Sequence, residues 1–330
     1  MTNLNYAAAV ELLYSAEKII ITTHINPDGD AIGSALALYN FAVDNGKSAH
    51  ILVPESYAPE NMKFLTNSNK VKKYVPDLHN KHIYEADVIF MLDLNSFRRL
   101  KNMACHIEDS SARKVIIDHH VDGEDIADLY IVDTNVSSTG ELVYNLIHQT
   151  GGKISLDIAE AIYVAMMTDT GNFRFSNTNE KVLAIATDLV SKGVEPDKIY
   201  DAIYNQNSLN QIRLLGLAYS NLETFANDKI SCMVVSDEMF KKTNTNDDMI
   251  EGYAEKTLSL KNSFVGLLIV ELKEKSELRI SLRSRNGIDV RTLAAKYDGG
   301  GHIYAAGCRF HDMTIEEAKQ ILIPEIEKII

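Results

Sequence analysis

Paired cysteines, a membrane-length apolar run and a surplus of positive charge are all missing from this 330-residue chain. Cys105, Cys232 and Cys308 stand alone, with no CxxC pair, so the sequence offers neither a disulfide framework nor a sulfur-ligated zinc site. No apolar stretch approaches the ~20 residues that cross a bilayer. The amino terminus has no basic segment followed by an apolar stretch and a cleavage site. A cytoplasmic location with no membrane partner is therefore expected. Lys and Arg number 33 against 46 Asp and Glu, a formal net charge of -13. That balance argues against long duplex nucleic acid, whose binding depends on neutralising backbone phosphates. A small phosphorylated ligand remains compatible with it, because bound divalent cations would cancel part of the acidic count locally.

What is present is concentrated first in Thr22-Thr23-His24-Ile25-Asn26-Pro27-Asp28-Gly29-Asp30. An imidazole and two carboxylates fall within seven residues, after the β-branched run Ile19-Ile20-Ile21 and before an alanine- and leucine-rich helical pattern over 31–43. Gly29 is expected to take a conformation that a larger residue would resist, letting Asp28 and Asp30 converge on one pocket. Pro27 restricts the turn. Residues 3–17 read as a helix, and 51–53 as a short strand. Further apolar strands over 88–92, 114–117 and 129–132 run into Asp93, into Asp118-His119-His120 and into Asp133. Continuous apolar strands suit a sheet covered on both faces, and the ligand crevice of such sheets lies outside the carboxyl ends of the strands. Ser137-Ser138-Thr139-Gly140-Glu141 caps a helix over 141–148. An almost wholly apolar helix over 156–167 then delivers Asp169, a carboxylate that burial would penalise unless it is paired or metal-bound.

Helices over 179–192 and from 196 to about 223 read as closing elements and a connector. The strand rhythm changes near Asp228, with strands over 230–235, 264–272 and 277–282 around a helix over 250–258. The expected architecture is α/β: an N-terminal, mostly parallel sheet with helices on both faces, and a smaller mixed α/β domain across an active-site cleft. The boundaries read as 1–195, a helical connector over 196–228, and 229–330. The second domain concentrates Arg283, Arg285 and Asn286 after an alternating strand, then a helix over 290–297, then Gly299-Gly300-Gly301-His302. A triple glycine exposes backbone amides to an anion, and His302 adds a side-chain donor.

His24, Asp28, Asp30, Asp93, His119 and Asp169 are too many nitrogen and oxygen ligands for one tetrahedral site, and a shared carboxylate could bridge two cations. Mixed imidazole and carboxylate ligation favours manganese, with magnesium, cobalt or zinc as alternatives. Water held between two cations would attack phosphorus while cations and arginines stabilise the phosphoryl oxygens. His120 would contact the scissile phosphate or protonate the leaving oxygen, and Asp118 would orient a histidine.

These motifs, His24 to Asp30, Asp93, Asp118-His119-His120 and Asp169, resemble the signature of the DHH phosphoesterase family, named for the Asp-His-His triplet. The segment from Arg283 to Gly307 resembles the substrate-binding domain that accompanies it in one subgroup. The resemblance implies one cation on His24, Asp28 and Asp93, and a second on Asp30, Asp93, His119 and Asp169. It implies that His120 and Arg99 approach phosphate, with Asp93 and Asp118 as their catalytic companions. It also implies that Arg283, Arg285, Asn286, Gly300, Gly301 and His302 hold a terminal phosphate or nucleotide. The implied substrates are short single-stranded RNA and a 3'-phosphorylated adenosine nucleotide. Asp298 and Arg291 depart from the family pattern and bear on substrate preference. A linear or cyclic dinucleotide phosphodiesterase is the enzyme alternative, and a non-catalytic nucleotide-binding module the alternative of a different class. The tyrosines of the connector would also suit a homodimer surface.

Overall fold

A computed structural model of the chain describes residues 3–121 and 123–330. Two compact units emerge, Met1–Gln206 and Asn207–Ile330. Among the described residues no helix is long and apolar enough to cross a membrane.

The first unit runs β1 (Asn3–Leu4), α1 (Tyr6–Ser15), β2 (Lys18–Thr22), α2 (Gly29–Asp44), β3 (Ser48–Val53), β4 (Val71–Lys73), α3 (Pro76–Tyr84) and β5 (Val88–Leu92). It continues through α4 (Ala104–Asp109), β6 (Arg113–Asp118), β7 (Leu129–Val132), α5 (Thr139–Gln149), α6 (Leu156–Asp169), α7 (Glu180–Ser191) and α8 (Pro196–Tyr204). Its seven-stranded sheet has the order β1-β7-β6-β5-β2-β3-β4. Every pairing is parallel except that of β1 with β7. Residues 3–17 are therefore not one helix. Asn3 and Leu4 add an antiparallel edge opposite Val132 and Ile131, and Asn5 caps the helix that follows.

Strand residues alternate between two cores, as the two-residue period of a strand requires. Ile19, Ile21, Phe90, Leu92 and Ile117 pack on the side of α2, α5 and α6, while Ile20, Ile89, Met91 and Ile116 pack with Ile83, Leu100 and Ile107. Both faces being covered explains why β5 is apolar throughout. From β2 the chain winds outward to β3 and β4, then returns to place β5 on the other side of β2. The β2–β5 boundary is thus the topological switch point, where a crevice opens at the strand ends.

The second unit runs α9 (Leu209–Ser220), β8 (Glu223–Phe225), β9 (Ile230–Val235), α10 (Asp237–Thr243), α11 (Tyr253–Lys256), β10 (Val265–Leu272) and β11 (Glu277–Ser284). It ends with α12 (Val290–Ala295), β12 (Gly300–His302), β13 (Ala305–His311) and α13 (Ile315–Glu327). The sheet order is β12-β13-β11-β10-β9-β8, with only β9 and β10 parallel. The long helix expected from 196 to about 223 is two helices. The break at Asn205–Ser208 ends the first unit, and Ser208 starts α9 with a capping box. The glycine run is not an open loop, because Gly300, Gly301 and His302 form an exposed edge strand paired with β13.

Candidate metal centre

Three strand ends and one helix end supply the centre. His24 and Asp28 follow β2, and Asp28 caps α2 by accepting the Ala31 N–H at 3.1 Å. Asp30 lies in the first turn of α2, Asp93 directly after β5, His119 and His120 directly after β6, and Asp169 is the last residue of α6. Gly29 has a role other than the one read from sequence. Its φ is not positive, and a Cβ there would lie 2.4 Å from the Thr168 side chain, so the glycine lets α2 start flush against the end of α6. The left-handed residue of the turn is Asn26, at φ 54°.

Asp93 also has positive φ, 56°, while its N–H donates to Ile117 O at 3.0 Å. A left-handed aspartate costs about 1–3 kcal/mol, and here that conformation points the carboxylate between two groups of ligands. One Asp93 oxygen, Oδ2, is 3.2 Å from His24 Nε2, and the other, Oδ1, is 3.6 Å from His119 Nε2. His24, Asp28 and Asp93 form one cluster with ligand atoms within 4.8 Å of one another, and Asp30, His119 and Asp169 form another.

The donor chemistry fits cations. His24 Nδ1 faces Ile25 O at 2.7 Å, so the proton is on Nδ1 and the Nε2 lone pair faces the Asp93 carboxylate. Two lone-pair donors at that distance repel unless a proton or a metal cation lies between them. Burial lowers the His24 pKa, helped by Arg99 against the opposing pull of Asp28, which keeps the imidazole neutral. His119 Nε2 is 3.5–3.7 Å from oxygens of Asp30, Asp93 and Asp169. Those lengths are long for hydrogen bonds, and one imidazole nitrogen facing three carboxylates is a donor set that suits a cation.

Without cations, burial and mutual repulsion push these carboxylates toward the protonated form. Burial, then the charge of Asp28, raises Asp30 to about 7 against hydrogen bonds from Thr139, Gly140 and Ser34. Burial and the neighbouring carboxylates raise Asp93 and Asp169 as well. Asp118 goes the other way. Burial pushes its carboxyl up, but the hydrogen bond and charge of His120 outweigh that and leave it below the ordinary value. Its Oδ1 is 2.7 Å from His120 Nδ1.

The first unit therefore brings together nine of the residues singled out from sequence, with Arg99 donating to Asp93 O at 3.4 Å. The other six belong to the second unit. Arg283 Nε donates to Glu255 at 2.8 Å, Arg285 donates to Leu260 O and Lys261 O, and Asn286 takes φ 61° in the turn after β11. His302 and Arg283 flank Ala305 in register across β12, β13 and β11, with Gly300 and Gly301 preceding His302 on the edge strand.

Sequence reading missed the supporting hydrogen bonds. The first amides of α5 grip Asp30, Thr139 N–H to Oδ2 at 2.7 Å and Gly140 N–H to Oδ1 at 2.9 Å, while Thr139 Oγ1 donates to Asp93 at 3.3 Å. Asn177 Nδ2 donates to the carbonyls of Ser137 and Asp169. The capping signal at Ser138 was legible, but not the partner its helix would find.

Residues 18–166 match the model of the DHH family N-terminal domain, and residues 227–330 that of the DHHA1 domain. The chain belongs to the DHH family. This DHH protein is 28% identical over 312 residues to the bifunctional oligoribonuclease and PAP phosphatase NrnA of Bacillus subtilis, covering 93% of each chain. It is 25% identical to the cyclic-di-AMP phosphodiesterase PdeA of Listeria monocytogenes, covering 97% of this chain and 49% of that one. A crystal structure of an exopolyphosphatase-related protein from Bacteroides fragilis superposes with a TM-score of 0.93 at 35% identity, covering 98% of this chain and 95% of that one. The DHH chain is thus a metal-dependent phosphoesterase, with ligand sets for two divalent cations.

Proposed function

We propose that this DHH protein is a manganese-dependent enzyme that hydrolyses short oligoribonucleotides to mononucleotides and removes the 3'-phosphate of adenosine 3',5'-bisphosphate. The observation that carries this reading is end-to-end similarity, through both domains, to relatives bearing those two activities in their names. The phosphodiesterase relative is about twice as long. His24, Asp28 and Asp93 would hold one cation, and Asp30 and His119 with Asp169 and Asp93 the other. Bound there, the cations supply a water acidic enough to attack phosphorus near neutral pH and neutralise the phosphoryl oxygens.

The chain's own groups complete the step. As water adds to phosphorus and the bond to the leaving ribose oxygen breaks, His120, steadied through Nδ1 by Asp118, gives that oxygen a proton. Arg99, anchored on the Asp93 carbonyl, meets a phosphoryl oxygen. Within the second unit, Arg283, Arg285, Asn286, His302 and the amides of Gly300 and Gly301 offer donors to a phosphate. Glu255 sets the angle of the Arg283 guanidinium.

The test is product analysis with manganese on three substrates: a linear diribonucleotide, adenosine 3',5'-bisphosphate and a cyclic dinucleotide. Turnover of the first two is expected. Turnover of the cyclic compound alone would establish the phosphodiesterase reading instead, and silence on all three would end the small-nucleotide reading.

A further inference from the structure

The segment leaving Asp169 carries a feature that metal binding does not use. Gly171, Asn172 and Phe173 are consecutive residues in the left-handed region, at φ 56°, 62° and 59°. A bulky phenylalanine there is a conformational outlier. The buried Thr170 hydroxyl holds it by accepting the Phe173 N–H at 3.0 Å, and Thr170 O accepts from Arg174 and Phe175 N–H. The turn sends neighbouring aromatics opposite ways. Phe173 packs inward on Tyr163, with ring centroids 5.3 Å apart, while Phe175 turns out to solvent.

The outward ring is nevertheless seated. A Cβ at Gly171 would lie 2.4–2.6 Å from three Phe175 ring carbons, so only glycine lets the ring settle there. The Arg174 guanidinium lies 5.1 Å from the ring centroid, exposed and with no ion pair among the described residues. Gly171 is two residues past Asp169, within about 7 Å along the chain. A rigid, exposed aromatic and guanidinium surface beside a metal ligand, on a chain of net charge -13, matches the surfaces on which unpaired bases stack.

We propose that Phe175 and Arg174 form the platform on which the nucleobase next to the scissile phosphate stacks. The proposal rests on the nucleotide reading above. It makes these two residues determinants of affinity rather than of the chemical step.

The test is steady-state kinetics with manganese on a linear diribonucleotide and on the same compound with one base removed. Phe175→Ala and Arg174→Ala should each raise KM for the intact dinucleotide about tenfold or more. They should leave its kcat within about threefold and barely change KM for the abasic compound. Phe175→Tyr should restore the wild-type KM. Calorimetry should find unchanged manganese affinity in all three variants, which a merely structural loop residue next to Asp169 would not allow. Wild-type KM on the intact dinucleotide in both alanine variants, or equal increases on both substrates, would overturn the platform while leaving the nucleotide reading standing. A wild-type protein active on inorganic polyphosphate but on no nucleotide would overturn that reading and the platform with it.

Discussion

Thr139 touches both ligand groups at once, through its N–H to Asp30 and its hydroxyl to Asp93. Removing the hydroxyl in Thr139→Ala leaves the backbone bond intact but frees the shared carboxylate. Manganese affinity should fall about tenfold to a hundredfold by calorimetry, and Thr139→Ser should recover most of it. His120 bears on turnover instead. Its Nδ1 is committed to Asp118, so His120→Ala should lower kcat by about two orders of magnitude or more while two manganese ions still bind. Loss of both ions would make His120 a structural ligand.

Most candidate ligands were legible at this scale because His24, Asp93, His119 and Asp169 follow apolar runs and Asp28 and Asp30 crowd one short turn. Thr139 was not, because one threonine at a helix start reads only as a cap. Gly29 was read for the wrong reason: the need is for space beside Thr168, and nothing in a local sequence reveals what lies across the fold.

The centre depends on how closely three helices meet. Gly33 of α2 and Gly140 of α5 both face Ala165 of α6, where a Cβ would fall 2.9 Å and 2.4 Å from the alanine Cβ. These contacts bring Asp30, the start of α5 and Asp169 to one place. Gly33→Ala would also press on Ala161 O at 2.4 Å. It should cost about 1–3 kcal/mol, lower the melting temperature by about 2–4 °C for each kcal/mol, and weaken manganese binding. An unchanged melting temperature would mean that the helices separate without cost. The strands and helices were mostly evident from period and capping. The exceptions were β4 and α3, with three and nine residues of mixed polarity, α4, β8, α10, β13 and the 13-residue α13, which were not read from sequence, and β12, a glycine strand whose pairing comes wholly from β13.

Charge acts on the molecule as a whole. In the metal-free protein Asp30 is raised to about 7 by burial and then by Asp28, and Asp93 and Asp169 are raised with it. Between the unfolded carboxyl value and those raised values the native state binds more protons than the unfolded state. The pH slope of stability contributed by these groups is therefore negative. Metal-stripped protein should lose stability at the centre as pH rises from about 4 to about 7, and manganese affinity should climb over the same window as binding displaces protons. Thermal melts with and without manganese across that range would check both. A manganese effect that is largest at the acid end would contradict the assignment.

Each unit also has cores on both faces of its own sheet. Calorimetry should resolve two transitions, of which manganese raises only the one belonging to the first unit. A single transition shifted as a whole would show the units to be coupled.

The sequence by itself marked the candidate metal ligands, because a carboxylate or imidazole at the end of an apolar strand or helix, or in the turn between them, is a local pattern. The family resemblance already implied how those residues divide, and only the tertiary structure decided the orientation that lets Asp93 serve both groups. Asp93 faces His24 with one oxygen and His119 with the other because a left-handed backbone at the switch point turns it between them. That orientation arises from strands and helices far apart in the chain packing together, and no stretch of neighbouring residues encodes it.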